Sequence, residues 1–430
     1  LPERVTCTDR VGWHGPVYVL PSGSIASAAV AAEGRRYVFQ SDSGMEDTFR
    51  RHGTLDEWRA GVAELAQGNS RLVFAVCCAL AGPAVQPAGI ESGGFHFRGD
   101  SSVGKTTALK VAASVWGRPS FMQRWRTTDN ALEAIAVQHN SCTLILDEFG
   151  QLDPRVAGEC AYLLANEQEK GRATRSAQPR KRRTWRLLFL SSGEVSLSDH
   201  MAEAGKRTRA GMEVRMLDVP LDAGASMGGL EVLHNFEGPA ALADAIVGAA
   251  ARSYGQAGRA WLEWCCEHFA ELPELLRELI DKYRDALVPE AAAEQVRRAG
   301  TRFALVAAAG ELATRAGITG WPEGEPLQAA RQCFNAWLGA RGLGRRHGQR
   351  LATPRAVGWH AALSGGAHQA RLRLWRRLPG ARHRPERRER RELALGHSRQ
   401  RERRRARAGG RARRPARVGA AVGEPHGAAE

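Results

Sequence analysis

Residues 94–116, GFHFRGDSSVGKTTALKVAASVW, carry the pattern from which the fold can be predicted. Within it, Gly99–Thr106 has the spacing G-x-x-x-x-G-K-T of a phosphate-binding loop. The alternating residues before this loop predict a strand, and the small and apolar residues at helical spacing after it predict a helix. Strand, loop and helix thus follow one another in the order that points the amino end of a helix at phosphate.

The residues of the loop have separate predicted roles. Glycines let the backbone turn tightly, so that consecutive N–H groups point at phosphate oxygens. Lys105 is expected to neutralise the β- and γ-phosphates of ATP, and the Thr106 hydroxyl to bind Mg²⁺. The alternative is a chance glycine-rich turn before a helix. The predicted nucleotide-binding residues are Gly99, Asp100, Ser101, Ser102, Val103, Gly104, Lys105, Thr106, Thr107 and, on a later strand, Ser191.

A second motif, TLILDE at 143–148, predicts a buried strand that ends in two carboxylates. Asp147 is expected to hold Mg²⁺ opposite Thr106. Glu148, expected to point the other way on an extended strand, would polarise the attacking water. The alternative is an ordinary core strand whose Asp caps a helix. The Asp-Glu pair favours the ATPase branch, in which a strand is inserted between the two motif strands, over kinase-like and GTPase branches.

The strand predicted at 185–192, WRLLFLSS, ends in two serines. Ser191 or Ser192 is expected to sense the γ-phosphate or the water, with simple strand-end capping as the alternative. Arg215 is the first candidate for an arginine that reaches the γ-phosphate of a neighbouring subunit. Arg207 and Arg209 are its rivals, and each of the three arginines could instead belong to a surface ion pair.

A basic segment lies between the helix after the carboxylate strand and the serine strand. It contains no acidic residue and eight cations: Lys170, Arg172, Arg175, Arg180, Lys181, Arg182, Arg183 and Arg186. A hairpin or loop there could project into the pore of a ring ATPase and bind the phosphates of a DNA strand. A solvated surface loop is the alternative.

The predicted fold class is α/β: a P-loop NTPase core of ASCE type, AAA+ or RecA-like, between a small β-rich N-terminal region and a helical C-terminal region. Short alternating runs predict β-hairpins at the amino end. Ser70 and Asp129 are expected to cap helices. The predicted regions are 1–54 (β-rich), 55–89 (a helical linker), 90–223 (ATPase core), 224–340 (helical) and 341–430 (a disordered, arginine-rich tail). Two helices are predicted within 55–82, and the second is expected to pack on the sheet.

Charge divides the chain into two parts. Residues 341–430 contain 25 Arg and 6 Glu, a net charge of +19, whereas the whole chain carries +16, so that residues 1–340 sum to −3. The high isoelectric point therefore belongs to the tail and does not by itself indicate nucleic-acid binding.

The tail lacks a sustained apolar period and cannot bury enough surface to fold. We favour translation in a wrong reading frame after about 339–344 over a basic nucleic-acid-binding arm or a solvated linker.

The sequence begins with Leu1, which indicates an incomplete amino end, and shows no signal-peptide pattern. Its longest apolar run, at 72–85, is too short to span a bilayer.

The cysteines include two adjacent pairs and no C-x-x-C, which predicts reduced, buried thiols rather than disulfides or zinc. A cytoplasmic protein without a membrane partner is expected.

Four stretches together resemble the bacterial domain-of-unknown-function family 927, which occurs in prophages and mobile elements and is described as helicase-like. They are GFHFRGDSSVGKTTALKVAASVWG, RWRTTDNALE, LDEFGQLDPRVAGECAYLLANEQEKGRATR and LLFLSSGEVSLSDHMAEAGKRTRAGMEVRMLDVP, and the resemblance spans about residues 10–340. It implies a P-loop NTPase similar to the helicase part of phage and plasmid primase–helicases. The tail departs from the family pattern.

Three functions remain open at this point. The first is an ATP-driven DNA helicase or translocase that forms a homo-oligomeric ring on single-stranded or forked DNA. The second is a nucleotide-dependent switch or remodeller whose client is a protein. The third is a non-catalytic nucleotide-binding remnant of a decayed element.

Overall fold

A computed structural model describes residues 4–40, 47–171, 182–207 and 210–341. Residues 4–40 form five short strands and one helix: β1 (Arg4–Thr8), β2 (Gly12–His14), β3 (Val17–Leu20), β4 (Gly23–Ile25), α1 (Ala28–Ala32) and β5 (Arg35–Phe39). Strands β2, β3 and β4 make an antiparallel sheet, as the hairpin prediction requires. That prediction is wrong for β5, which pairs in parallel with β1. The chain between them is long enough for the crossover that a parallel pair needs.

The next segment is helical, as predicted. It contains α2 (Leu55–Trp58), α3 (Glu64–Ala66) and α4 (Ser70–Ala81), with a π-helical turn between the first two. A capping box starts α2, because the Thr54 hydroxyl accepts from the Glu57 N–H and the Glu57 carboxylate accepts from the Thr54 N–H.

The predicted cap of α4 is wrong. Asn69, not Ser70, occupies the N-cap position, and its side chain makes no cap hydrogen bond. The Ser70 N–H instead donates to the carboxylate of Glu231. The side-chain Oδ1 of Asn69 accepts from the backbone N–H groups of Glu231 and Val232. A residue 161 positions away in the sequence therefore caps this helix.

A parallel sheet of five strands follows, with helices between the strands. In chain order these elements are β6 (Gly93–Arg98), α5 (Lys105–Ala113), β7 (Gln123–Arg124), α6 (Asp129–Gln138), β8 (Thr143–Asp147), α7 (Ala157–Ala165), β9 (Leu188–Gly193), α8 (Leu197–Glu203), α9 (Ala210–Glu213) and β10 (Met216–Pro220). The strand order is β10-β6-β9-β8-β7, and every neighbouring pair is parallel. The predicted insertion of a strand between the two motif strands is confirmed, since β9 lies between β6 and β8.

The cap of α6 also differs from the prediction. Thr128, not Asp129, caps α6, because the Thr128 hydroxyl accepts from the Ala131 N–H at 3.3 Å. Asp129 is the first helical residue and accepts from Lys170 Nζ at 2.7 Å. Helix α7 begins at Ala157 and ends at Ala165.

Helix α4 is the centre of the core. All twelve of its residues are buried, as expected for a helix that is apolar on most faces. The prediction that it packs on the sheet is confirmed: the Thr143 hydroxyl of β8 donates to the Cys78 carbonyl oxygen of α4 at 2.7 Å.

Five helices complete the described chain: α10 (Pro239–Arg252), α11 (Gln256–Glu267), α12 (Leu272–Leu287), α13 (Glu294–Arg315) and α14 (Glu325–Ala340). Helices α13 and α14 pack against α4, and the buried Arg302 of α13 donates to the Val214 carbonyl oxygen at 2.6 Å. The helical region and the sheet therefore share one core, and the region boundaries proposed from the sequence stay predictions. No helix among the described residues is long and apolar enough to cross a membrane.

Seven of the eight cysteines are buried, as the sequence predicts. Cys7 on β1 is the exception, because it is exposed. Burial raises the pKa of Cys160 to about 12, since a buried thiolate would lose its hydration.

The approach of α4 to β8 predicts a strong effect of one methyl group. A Cβ at Gly82 would overlap the backbone of Cys142 and Thr143, which the sheet holds in place. We expect Gly82→Ala to lower the free energy of unfolding by about 3 kcal/mol, measured by thermal and urea unfolding. At Gly339 in α14 a Cβ meets nothing within 4 Å. Gly339→Ala is the control, and equal stability of the two variants would contradict the packing described.

Candidate nucleotide-binding site

The loop between β6 and α5 turns through two residues in the left-handed region. Ser102 has a φ of 66°, and Gly104, the N-cap residue of α5, has a φ of 98°. Gly99 is tied to the next strand, because its N–H donates to the Gly193 carbonyl oxygen at 3.2 Å. No side chain caps α5, so the first N–H groups of this helix are open to an anion.

This loop borders a cavity of about 970 Å³ at the carboxyl edge of the sheet. Two of the predicted residues, Gly99 and Asp100, do not line it. Their carbonyl oxygens accept from Lys105 Nζ, at 2.7 and 2.5 Å. The other predicted loop residues and both motif carboxylates do line the cavity: Ser101, Ser102, Val103, Gly104, Lys105, Thr106, Thr107, Asp147 and Glu148.

The two carboxylates differ in backbone conformation and partners. Strand β8 ends at Asp147, and Glu148 has φ 60° and ψ 60°. The expectation that Glu148 continues an extended strand is therefore wrong, and a left-handed turn aims its side chain instead. The Glu148 carboxylate accepts from Gln151 Nε2, and Asp147 accepts from the Ser192 hydroxyl and from the Glu148 N–H. A non-glycine residue in this region is strained, which is a common feature of functional sites.

The two serines of β9 point to opposite sides of the strand. Ser192 lines the cavity, whereas Ser191 is fully buried beneath it and does not. The Ser191 hydroxyl oxygen accepts from Trp125 Nε1 at 2.7 Å and hydrogen-bonds His96 Nδ1 at 3.0 Å. His96 Nε2 donates to the Val195 carbonyl oxygen. Burial lowers the pKa of His96 to about 3, so the ring is neutral near pH 7. The structure thus brings Ser192, and not Ser191, to the candidate site.

Arg215 lies at the opposite, amino edge of the sheet, directly before β10. Its carbonyl oxygen accepts from the Gly94 N–H at 2.8 Å, and its Nη1 donates to the Gly211 carbonyl oxygen at 2.6 Å. The guanidinium lies 4.7 Å from the ring centroid of Tyr162. Arg215 does not line the cavity of its own chain. Of its rivals, Arg207 is exposed and Arg209 falls outside the described residues.

The basic segment starts and ends in the two arms of a hairpin. An antiparallel bridge joins Gln168 to Thr184. Three described cations of this segment form ion pairs: Lys170 with Asp129, Arg183 with Glu169 and Arg186 with Glu167. Arg182 is exposed, and four predicted cations, Arg172, Arg175, Arg180 and Lys181, lie outside the described residues. The charges at the hairpin base are therefore largely neutralised within the protein.

Several lining residues come from segments that the sequence reasoning did not connect with the loop. The segment after β10 folds over it, because the Gly229 N–H donates to the Val103 carbonyl oxygen at 3.0 Å. The further lining residues include Arg71, Leu72, Gln151, Glu194, His200, Glu203, Met227, Leu230, Pro239, Ala240 and Ala243. Only Gln151 and Glu194 lie close to a motif in the sequence. The others have no local signal and are brought to the site by folding alone.

Residues 1–184 match the family described as "Domain of unknown function (DUF927)", which confirms the resemblance over that part of the chain. No curated protein matches the chain. One solved structure, described as "SCCmec type IV Cch - active helicase", is similar with a TM-score of 0.58 and 19% identity, over 79% of this chain and 60% of that one. At this identity the similarity shows a shared fold. A crystal structure of NtrX from Brucella abortus with ADP matches with a TM-score of only 0.21 and 13% identity, over 67% of this chain and 60% of that chain.

The different surroundings of the two serines predict different consequences of their removal. Ser191→Ala leaves the buried Trp125 Nε1–H and His96 Nδ1 without a partner, and should lower the free energy of unfolding by about 1–3 kcal/mol. Ser192→Ala leaves Asp147 at the cavity, where water can replace the hydroxyl, and should cost less than about 1 kcal/mol. Urea unfolding of both variants checks this order, and the reverse order would contradict the assignment of Ser192 to the cavity.

Proposed function

We propose that this protein is a P-loop ATPase that hydrolyses ATP at the carboxyl edge of its parallel sheet. One observation carries the proposal: a single cavity is lined by the phosphate-loop residues, by two carboxylates from the end of β8 and by a serine from the end of the strand between them. The residues come from three neighbouring strands, and such an edge is where open α/β sheets bind ligands.

Each lining group has a task in this proposal. The open N–H groups of the loop and of α5, together with Lys105, would bind the β- and γ-phosphates. Glu148 would orient the attacking water and accept its proton. For that role its carboxylate would leave the amide of Gln151. Ser192, hydrogen-bonded to Asp147, would take the sensor role that the sequence predicts for Ser191 or Ser192.

The oxygen donors of Thr106 and Asp147 suit Mg²⁺, which prefers hard oxygen ligands. The described residues contain no cluster of three or more His, Cys, Asp or Glu side chains that could hold a metal ion by themselves. We therefore expect these two residues to hold Mg²⁺ together with phosphate oxygens and water. When bound, the ion would supply charge neutralisation at the phosphates.

Two substitutions separate binding from hydrolysis. Lys105→Ala should weaken ATP binding and abolish hydrolysis, because it removes the cation at the phosphates. Glu148→Gln should keep ATP binding and lower the hydrolysis rate by about 10²–10³-fold, because it removes the proton acceptor. Steady-state phosphate release and equilibrium binding of labelled ATP provide the measurements. Lys110→Ala, on the same helix outside the cavity, is the control. Wild-type turnover by the Lys105 variant would refute the proposal.

We propose further that the client of this ATPase is DNA, as in a helicase or translocase of a mobile element. The fold similarity to a helicase and the hairpin base between α7 and β9 support this proposal. Arg215, which does not line its own cavity, is proposed to reach the γ-phosphate bound by a neighbouring copy in a ring. A protein remodeller is the second candidate, and a non-catalytic nucleotide-binding remnant is the third.

The proposal predicts that single-stranded DNA stimulates ATP hydrolysis through the cations of the hairpin. Replacing Arg180, Lys181 and Arg182 with Glu should abolish this stimulation while the rate without DNA stays unchanged. Arg183 is left intact, because its partner Glu169 is buried and reversal would disturb the fold.

A matched control reverses three exposed cations of the helical region, Arg277, Lys282 and Arg298, and so changes the net charge equally. ATPase rates with and without DNA, at two salt concentrations, check the prediction. A wild-type rate that does not respond to DNA would favour the protein remodeller. Nucleotide binding without any hydrolysis would favour the non-catalytic remnant.

A further inference from the structure

The carboxylates that line the cavity differ in what they contact. Three of them contact residues other than the phosphate-loop lysine. Asp147 contacts Ser192, Glu148 contacts Gln151 and Glu203 contacts His200. Glu194, directly after β9, faces that lysine instead: its Oε1 lies 3.8 Å from Lys105 Nζ. The side chain of Glu194 is 64% exposed and that of Lys105 is 14% exposed, so the carboxylate stands at the mouth of the cavity above a largely covered ammonium group.

The hydrogen bonds of Lys105 show how the lysine is held. An ammonium group has three donors, and two of them are used by the carbonyl oxygens of Gly99 and Asp100. The side on which Glu194 lies has no hydrogen bond, because 3.8 Å is too long for one. A phosphate oxygen that approaches Lys105 from this side therefore meets the negative charge of Glu194.

The order of the strands in the sheet determines which phosphate group lies close to the negative charge of Glu194. Strand β9 lies between the loop strand β6 and the carboxylate strand β8, so Glu194 emerges between Lys105 and the pair Asp147 and Glu148. The terminal phosphate of a nucleoside triphosphate must lie in this same interval if water activated by Glu148 is to reach it. A nucleoside diphosphate has no third phosphate and therefore places no phosphate group in this interval.

We infer that Glu194 is a specificity-determining residue that weakens the binding of a nucleoside triphosphate relative to the diphosphate, through like-charge repulsion of the third phosphate. This inference rests on the proposed function. The repulsion acts at a partly exposed position, where a like charge about 5 Å away changes an affinity by about tenfold. Removal of the charge should therefore strengthen triphosphate binding selectively.

The test compares equilibrium binding of the non-hydrolysable ATP analogue AMP-PNP and of ADP, each with Mg²⁺, to the full-length chain. Glu194→Gln should lower the Kd of AMP-PNP about tenfold and the Kd of ADP less than about twofold. Raising the salt from 0.05 to 0.5 M should shrink the gain for AMP-PNP, because exposed charges are screened. Glu159→Gln is a matched control: Glu159 lies 3.8 Å from Lys206 and is 62% exposed, but it is not one of the cavity-lining residues.

The outcomes separate this inference from the proposed function. An increased AMP-PNP to ADP preference in the Glu194 variant, absent in the Glu159 variant, supports the inference. An unchanged preference overturns it, and a reversed preference overturns it in favour of a carboxylate that helps to bind the metal–nucleotide complex. Both proposals fail if the wild-type chain binds neither nucleotide, or if Lys105→Ala binds both as well as wild type does.

Discussion

The parallel pairing of β9 between β6 and β8 is the constraint on which the candidate site depends. Strand β6 leads into the phosphate loop, β8 ends at two carboxylates and β9 ends at a serine. These groups can act on one ligand only if they lie close together. Parallel strands place their carboxyl ends at one edge, so this single pairing brings the three groups to one cavity. The same pairing places Ser192 against Asp147 and Glu194 near Lys105.

Helix α4 and the segment after β10 hold the surroundings of this edge in place. Helix α4 is buried on all sides and packs on the sheet. Its amino end is capped by Glu231, a residue of the segment that follows β10. That segment also lies on the phosphate loop, through the hydrogen bond from Gly229 to Val103. The cavity is thus closed on one side by a chain that the core helix holds in place, which links the stability of the core to the shape of the site.

Several features of this fold and site were predictable, and the misses have identifiable causes. The loop, the carboxylate strand and the serine strand follow from local patterns, because apolar runs and glycine spacing are local properties. The placement of the serine strand between the other two was inferred from the ATPase branch that the Asp-Glu pair favours. The choice between Ser191 and Ser192 did not follow, since β9 is buried on both faces and lacks the polar alternation that reveals which side a residue faces. The cap of α4 was missed because Glu231 supplies it from a distant segment. The left-handed conformation of Glu148 could not be predicted, because glutamate rarely adopts it and no sequence pattern indicates it.

The amino-acid sequence alone was sufficient to predict that a phosphate loop precedes a helix and that two carboxylates end a buried strand, because spacing along the chain specifies both. It also determined that a cluster of cations separates α7 from β9, although the tertiary structure decided that three of them are neutralised by acids of the same chain. The folded chain was needed to show which serine reaches the cavity, which residues cover the cavity and which carboxylate faces Lys105. These outcomes depend on the register and packing of segments far apart in the chain, and no local pattern encodes them.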